Sequence, residues 1–286
     1  MDWRGRRSSR NIEDRRASGG GRGGGGGRGA SLGGVGVIAV LVIGYFLGID
    51  VTPLLQDPAG QSPAPAGLSE ADKAAGQFVS VTLADTEEVW AQIFRDQLGR
   101  TYTPATLVLF KGVTQSPCGG ASGATGPFYC PGDRKVYLDT DFFVTLERRL
   151  GAKGDFAAAY VVAHEIGHHV QDELGILAQA NKLRAQVSEA DSNAISVRLE
   201  LQADCLAGIW SRAAAQTFGS IEPGDLEEAV NAARKIGDDT LQSAAGRVPQ
   251  PHTFTHGTSE QRARWFTIGV QSGQVADCDT FSTDDL

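Results

Sequence analysis

Apolar residues recur at helical spacing through most of the chain beyond residue 68. Val89, Trp90, Ile93, Phe94 and Leu98 fall along one side of a predicted helix over Thr86–Leu98. Ahead of it, Ser69-Glu70-Ala71-Asp72 reads as a capping box that opens a separate helix. The same periodicity predicts helices over Asp141–Leu150, Phe156–Leu174 (with Gly175 as its stop), Ser188–Phe218, Glu222–Gly237 and Ser259–Gly269. Ala105–Phe110 and Arg134–Leu138 are apolar enough for strands, whereas Lys111–Pro127, rich in Gly, Ser and Thr, reads as loop. Helix predominates, with a small sheet early in the domain, so the predicted class is α+β.

One apolar run breaks this pattern. Leu32–Ile49 carries no charge and no polar face. As a helix it spans about 27 Å, close to the hydrocarbon thickness of a bilayer. It is longer than the apolar region of a cleaved signal peptide, about 7–15 residues, so an uncleaved transmembrane helix is expected at 32–49. Charge adds an orientation. Residues 1–31 hold eight Arg against Asp2, Glu13 and Asp14, and Gly19–Gly29 is almost pure Gly and Arg. The rest of the chain is acidic and brings the net charge to -8. A basic flank followed by an acidic bulk predicts a disordered cytoplasmic tail at 1–31 and an extracytoplasmic domain. The four prolines of 50–67 mark a linker, and the folded domain is expected at 68–286. An acidic domain of this kind is a poor candidate for binding nucleic acid.

The four cysteines, Cys118, Cys130, Cys205 and Cys278, include no CxxC pair, which argues against a zinc ribbon. In an oxidising space they would form disulfides. Three pairings are possible. The natural one closes a local loop, Cys118–Cys130, and leaves Cys205–Cys278 as a long-range staple.

The chemistry concentrates at Ala163–Val170, where three of the five histidines surround one glutamate. His164 and His168 lie four apart, so on a helix both imidazoles share a face and can each reach a Zn²⁺. Glu165 then has the place of the general base in H-E-x-x-H. Gly167 would leave space beside that face, and His169 points off it toward a structural role. The alternative is a pair of core histidines satisfied by hydrogen bonds. A catalytic zinc needs a third protein ligand. Leu174 stands where a third histidine of the HExxHxxGxxH arrangement would be. Glu200 and Asp204, four apart on a second long helix, fill the gap: Glu200 as the third ligand, and Asp204 as acceptor of the free N–H of His164, fixing its tautomer.

HEIGHHVQDELG, ELQADCLAGIW, GPFYCPGDRKVYLD and HGTSEQRARWF together resemble the bacterial family of predicted neutral zinc metallopeptidases, over roughly Leu68–Asp279. The order of motifs is also similar to that of gluzincins of the membrane-protease type. The resemblance implies a mainly helical zincin-like fold with zinc as cofactor. It places an exposed edge strand within Phe128–Asp139, above the site, where it can hold an extended peptide by strand addition, with the Cys118–Cys130 bridge pinning that rim. It also brings His256 and Arg262 near the metal as candidates for oxyanion support. His252 could substitute for His256. Arg262 could instead form a salt bridge to a buried acid, and Asp238 and Asp239 could brace it.

The expected activity is peptide-bond hydrolysis of an exported or cell-envelope polypeptide, by a metal-activated water with Glu165 as base. Two other readings stay open: a binding or regulatory module with a structural zinc, and a zinc amidase acting on non-protein amides.

Overall fold

The capping box at Ser69 opens a helix that then runs on without a break. The computed structural model describes residues 1–17, 67–122 and 126–286. After a short strand β1 (Ile12–Asp14), helix α1 (Glu70–Leu98) takes in both predicted helices. Ser69 accepts the Asp72 amide while Asp72 accepts the Ser69 amide. Gly76 to Trp90 is largely buried, so packing holds the stretch between the two sequence signals helical.

The sheet follows, as β2 (Thr106–Phe110), β3 (Val113–Ser116), β4 (Gly119–Ser122), β5 (Phe128–Cys130) and β6 (Lys135–Asp139). Four strands run in the order β1-β2-β6-β5; β1, β2 and β6 are parallel and β5 is antiparallel. Strand β2 is apolar from Leu107 to Phe110 because both its faces are covered there. Leu107 and Leu109 join the main core, while Val108 and Phe110 join a second cluster with Ala121, Cys130 and Tyr137. Ala121 of that cluster lies in the β3–β4 hairpin, which the loop expectation for Lys111–Pro127 overlooked. Within Phe128–Asp139 it is β5 that lies at the edge; β6 is interior.

Helices α2 (Asp141–Arg148), α3 (Asp155–Glu173), α4 (Ile176–Arg184), α5 (Glu189–Phe218), α6 (Asp225–Lys235), α7 (Asp238–Ala244) and α8 (Ser259–Ser272) complete the domain. The predicted helix over Glu222–Gly237 is α6, and the short α7 follows beyond its predicted end. Short 3-10 turns lie at Pro251–Thr253 and Val275–Cys278. Helix α3 ends before Gly175, which adopts φ 79. Phe156 of α3 stacks on Trp210 of α5, with ring centroids 5.9 Å apart, and Tyr160 meets Phe266 of α8 edge-on. Both disulfides pair as the local-loop reading expects, Cys118–Cys130 and Cys205–Cys278.

The N-terminal segment overturns the predicted topology. Residues 1–17 are part of the domain. Strand β1 supplies an edge of its sheet, the Asp2 amide donates to the Ser220 carbonyl, and the Met1 amine meets Asp155 at 3.0 Å and Asp225 at 3.1 Å. Three of the arginines that suggested a cytoplasmic flank are paired with acids: Arg6 with Asp85, Arg15 with Glu13 and Arg16 with Asp14. A segment that adds a strand to a domain's sheet lies on the same side of any membrane as that domain. A cytoplasmic N-terminus with an extracytoplasmic domain is therefore excluded. Among the described residues no helix is long and apolar enough to cross a membrane, so a fold preceded by one transmembrane helix is not supported. The predicted span 32–49 falls outside the described residues, as does all of the linker 50–67 but its last residue.

Candidate metal centre

Helices α3 and α5 pack close enough to merge their polar residues into one buried site. The approach depends on Gly167. A Cβ there would lie 2.9 Å from the Ala203 carbonyl oxygen and 3.1 Å from its Cα. This glycine lets two backbones meet; it does not open a space beside the histidines, as the sequence suggested.

His164 and His168 face Glu200 across this contact. His164 Nε2 is 3.1 Å from one Glu200 oxygen and His168 Nε2 is 3.5 Å from the other. All three ligand atoms lie within 4.8 Å of one another. Donors about 2.0–2.1 Å from a tetrahedral zinc stand about 3.3 Å apart, so the spacing fits that ion. The other ring nitrogens are already engaged. His164 Nδ1–H donates to Asp204 at 2.8 Å, and His168 Nδ1–H donates to the Gln171 side-chain oxygen at 2.8 Å. Each imidazole thus keeps Nε2 for the shared centre, and the donor set fits a divalent metal.

Charge balance within the site is tight. Burial alone would raise the pKa of Glu200, but the imidazoles pull it well below the usual carboxylate range. Burial would lower that of His164, yet Asp204 and Glu200 push it up to about 10. Glu165 is buried beside both rings, and desolvation raises its pKa against their opposing charge. That is the direction a carboxylate needs in order to take a proton near neutral pH.

Asp204, fully buried, is the anchor. It accepts from His164, from the Tyr160 hydroxyl, and from Arg262 through Nε at 2.8 Å and Nη2 at 3.1 Å. Arg262 also donates to the Tyr160 hydroxyl and the Ile236 carbonyl. Its guanidinium is 2% exposed and committed to a buried acid, so it is not free to meet a substrate oxyanion. Asp238 and Asp239 do not brace it. Asp238 accepts the amides of Thr255, His256 and Gly257 and stands 3.3 Å from His256 Nδ1, while Asp239 holds Ser259. His256 is thereby fixed near Glu200, whose carboxylate pKa it helps to lower. His252 is exposed in its 3-10 turn and does not replace it.

His169 leaves the metal face as expected. It donates from Nε2 to the Thr103 carbonyl at 2.7 Å, and its Nδ1 meets the Tyr129 hydroxyl at 3.1 Å. Tyr129 gives its one hydroxyl proton to Asp172 at 2.8 Å, which ties edge strand β5 to α3. Sequence reasoning missed Tyr160, Gln171 and Gln202. Tyr160 and Gln171 lie one turn before His164 and three residues after His168, so helical spacing alone could have nominated them.

Comparison with known proteins identifies the family. The uncharacterized protein YpfJ of Escherichia coli (strain K12) is 47% identical over 295 residues, covering 98% of this chain and 99% of its own. The uncharacterized protein Rv2575 of Mycobacterium tuberculosis is 45% identical over 195 residues, covering 65% of each chain. No solved structure matches. The family described as "Putative neutral zinc metallopeptidase" matches residues 1–281, and the chain belongs to that family.

Proposed function

We propose that the protein is a zinc-dependent peptidase in which His164, His168 and Glu200 hold the metal. The observation that carries this reading is the convergence of two Nε2 atoms and one carboxylate from separate helices, with both Nδ1 atoms already hydrogen-bonded. When bound, zinc acidifies a water and polarises the substrate carbonyl.

The chain's own residues supply the rest. Glu165, beside the metal-binding imidazoles and raised in pKa by burial, takes the proton of the attacking water and returns it to the leaving amine. Asp204 keeps His164 in the tautomer that presents Nε2. His256, seated by Asp238 and 42% exposed, is placed to donate to the oxyanion. The substrate is a polypeptide, taken as an extended strand along the open edge of β5, a segment that Tyr129 ties to the metal helix.

A purely structural zinc has no use for a buried, proton-accepting Glu165, which favours the enzyme over a binding module. The test is Glu165→Gln assayed for cleavage of unfolded casein and for zinc content. Lost cleavage with unchanged zinc supports the reading; full cleavage in that variant removes Glu165 as the base.

A further inference from the structure

Every metal-binding imidazole needs its second nitrogen held, and the two histidines are held by different devices. His164 rests on a carboxylate. His168 rests on an amide chain that runs to the far end of the sequence.

The direction of that chain follows from its ends. Backbone carbonyls only accept. Gln171 places one amide hydrogen on the Leu199 carbonyl at 2.7 Å, so its nitrogen faces α5 and its oxygen faces His168. The His168 Nδ1 must then carry the proton. Gln171 directs its other hydrogen to the Gln202 side-chain oxygen at 3.0 Å. Gln202 in turn donates to the Cys278 carbonyl at 2.9 Å. Gln171 and Cys278 are almost fully buried and Gln202 is 6% exposed, so water offers no ready substitute partner. The Cys278 carbonyl is itself fixed: its residue is bonded to Cys205 on α5, and it also accepts the Thr280 amide at 3.0 Å.

We infer that Gln171 and Gln202 are positioning residues that fix the tautomer and seat of His168 from the Cys278 carbonyl, so that the C-terminal staple is part of the metal centre. This rests on the zinc reading above. Gln171 grips α3 to α5 between the His168 and Glu200 ligands, and Gln202 fixes which way Gln171 faces.

The test is zinc affinity by competition with a chromophoric chelator, on the full chain and on Gln171→Leu, Gln202→Leu and the double variant. Gln171→Leu is expected to weaken zinc about 10- to 100-fold, the usual effect of removing a partner that orients a ligand. Gln202→Leu should weaken it less, and the double variant should match Gln171→Leu within about twofold, because the two act in series. A zinc affinity for Gln171→Leu within twofold of the native chain, or losses that simply add, overturns the relay. ¹⁵N spectra of histidine-labelled native protein loaded with zinc need no variant to fold: His168 protonated on Nδ1 supports the relay, and protonated on Nε2 overturns it. A native chain that takes up no zinc overturns the peptidase reading itself, an outcome distinct from either of these.

Discussion

His164 donates its Nδ1 proton to Asp204, forty residues away on another helix, across 2.8 Å. The same carboxylate carries the full charge of Arg262, which is buried with it. Asp204 therefore does two jobs: it orients a metal ligand and neutralises a cation that would otherwise be stranded. Asp204→Leu should lose both. Leaving Arg262 without its counter-charge costs about 3–5 kcal/mol, read as a lower urea midpoint. Adding Arg262→Met removes the stranded charge, so the double variant should regain much of the stability. It should not regain zinc affinity, because His164 still lacks its acceptor. Recovery of both together would mean that Asp204 serves the fold alone.

The same hydrogen bond sets the pH dependence of metal binding. In the metal-free chain Asp204 and Glu200 overcome burial and hold the His164 pKa at about 10. His164 is then an imidazolium at neutral pH, whereas a ligating imidazole has given up its Nε2 proton. The metal-free form binds more protons than the loaded form, so zinc uptake releases them and affinity rises with pH until about 10. Calorimetry at pH 7.5 in two buffers of different ionisation enthalpy should report at least one proton released. No release would mean that His164 is already neutral before zinc arrives.

What the sequence made legible follows from the range of the forces involved. His164, His168, Glu200 and Asp204 could be nominated because spacing of four on a helix is local information. Gln171 sits at helical spacing from His168, but Gln202 carries no such mark, since its amide acquires its role only from the carbonyl that Cys278 happens to place beside it. The fold class came from periodicity. The N-terminal segment was misread because β1 is three residues long and parallel, so its pairing with Leu107–Leu109 is invisible to any local pattern. Its arginines were counted as a flank for a membrane, whereas Arg6 pairs with Asp85 on a helix many residues away.

Gly269 and Gly167 mark two close helix contacts around the site. A Cβ on Gly269 would overlap the Cys205 carbonyl oxygen, and one on Gly167 would press on Ala203. An exposed helix interior normally prefers Ala to Gly by about 1 kcal/mol. Both positions should reverse that preference. Gly269→Ala is expected to lose more, about 3 kcal/mol or above, because backbone meets backbone and neither side can yield. It also moves Arg262 on α8 away from Asp204 on α5. Gly167→Ala should lose less stability and more zinc affinity, since it separates the two helices that carry the ligands. Denaturation and zinc competition on both variants measure the contrast, and equal losses in each assay would contradict it.

Arg6 makes the N-terminal segment pH-sensitive. Its guanidinium binds Asp85 through two bonds, 2.7 and 2.9 Å, and lies over the Phe218 ring at 4.4 Å. Burial pushes the Asp85 pKa up to about 6, with Arg6 holding it from going higher. A carboxyl whose folded pKa exceeds its unfolded value near 3.8 binds more protons when folded. Its contribution is fully favourable below that unfolded value and is lost as pH rises through about 6. Arg6→Ala removes the main group that eases the ionised form and leaves only the weaker influence of Arg7, so the folded pKa rises further and the loss at alkaline pH grows. The variant should be less stable than the native chain by about 3 kcal/mol at pH 8, and the gap should close below pH 5, where Asp85 is protonated in both. Urea denaturation at the two pH values measures this. A deficit of the same size at pH 5 and pH 8 would assign the effect of Arg6 to its packing on Phe218, leaving the ion pair with no part in holding the segment to the domain.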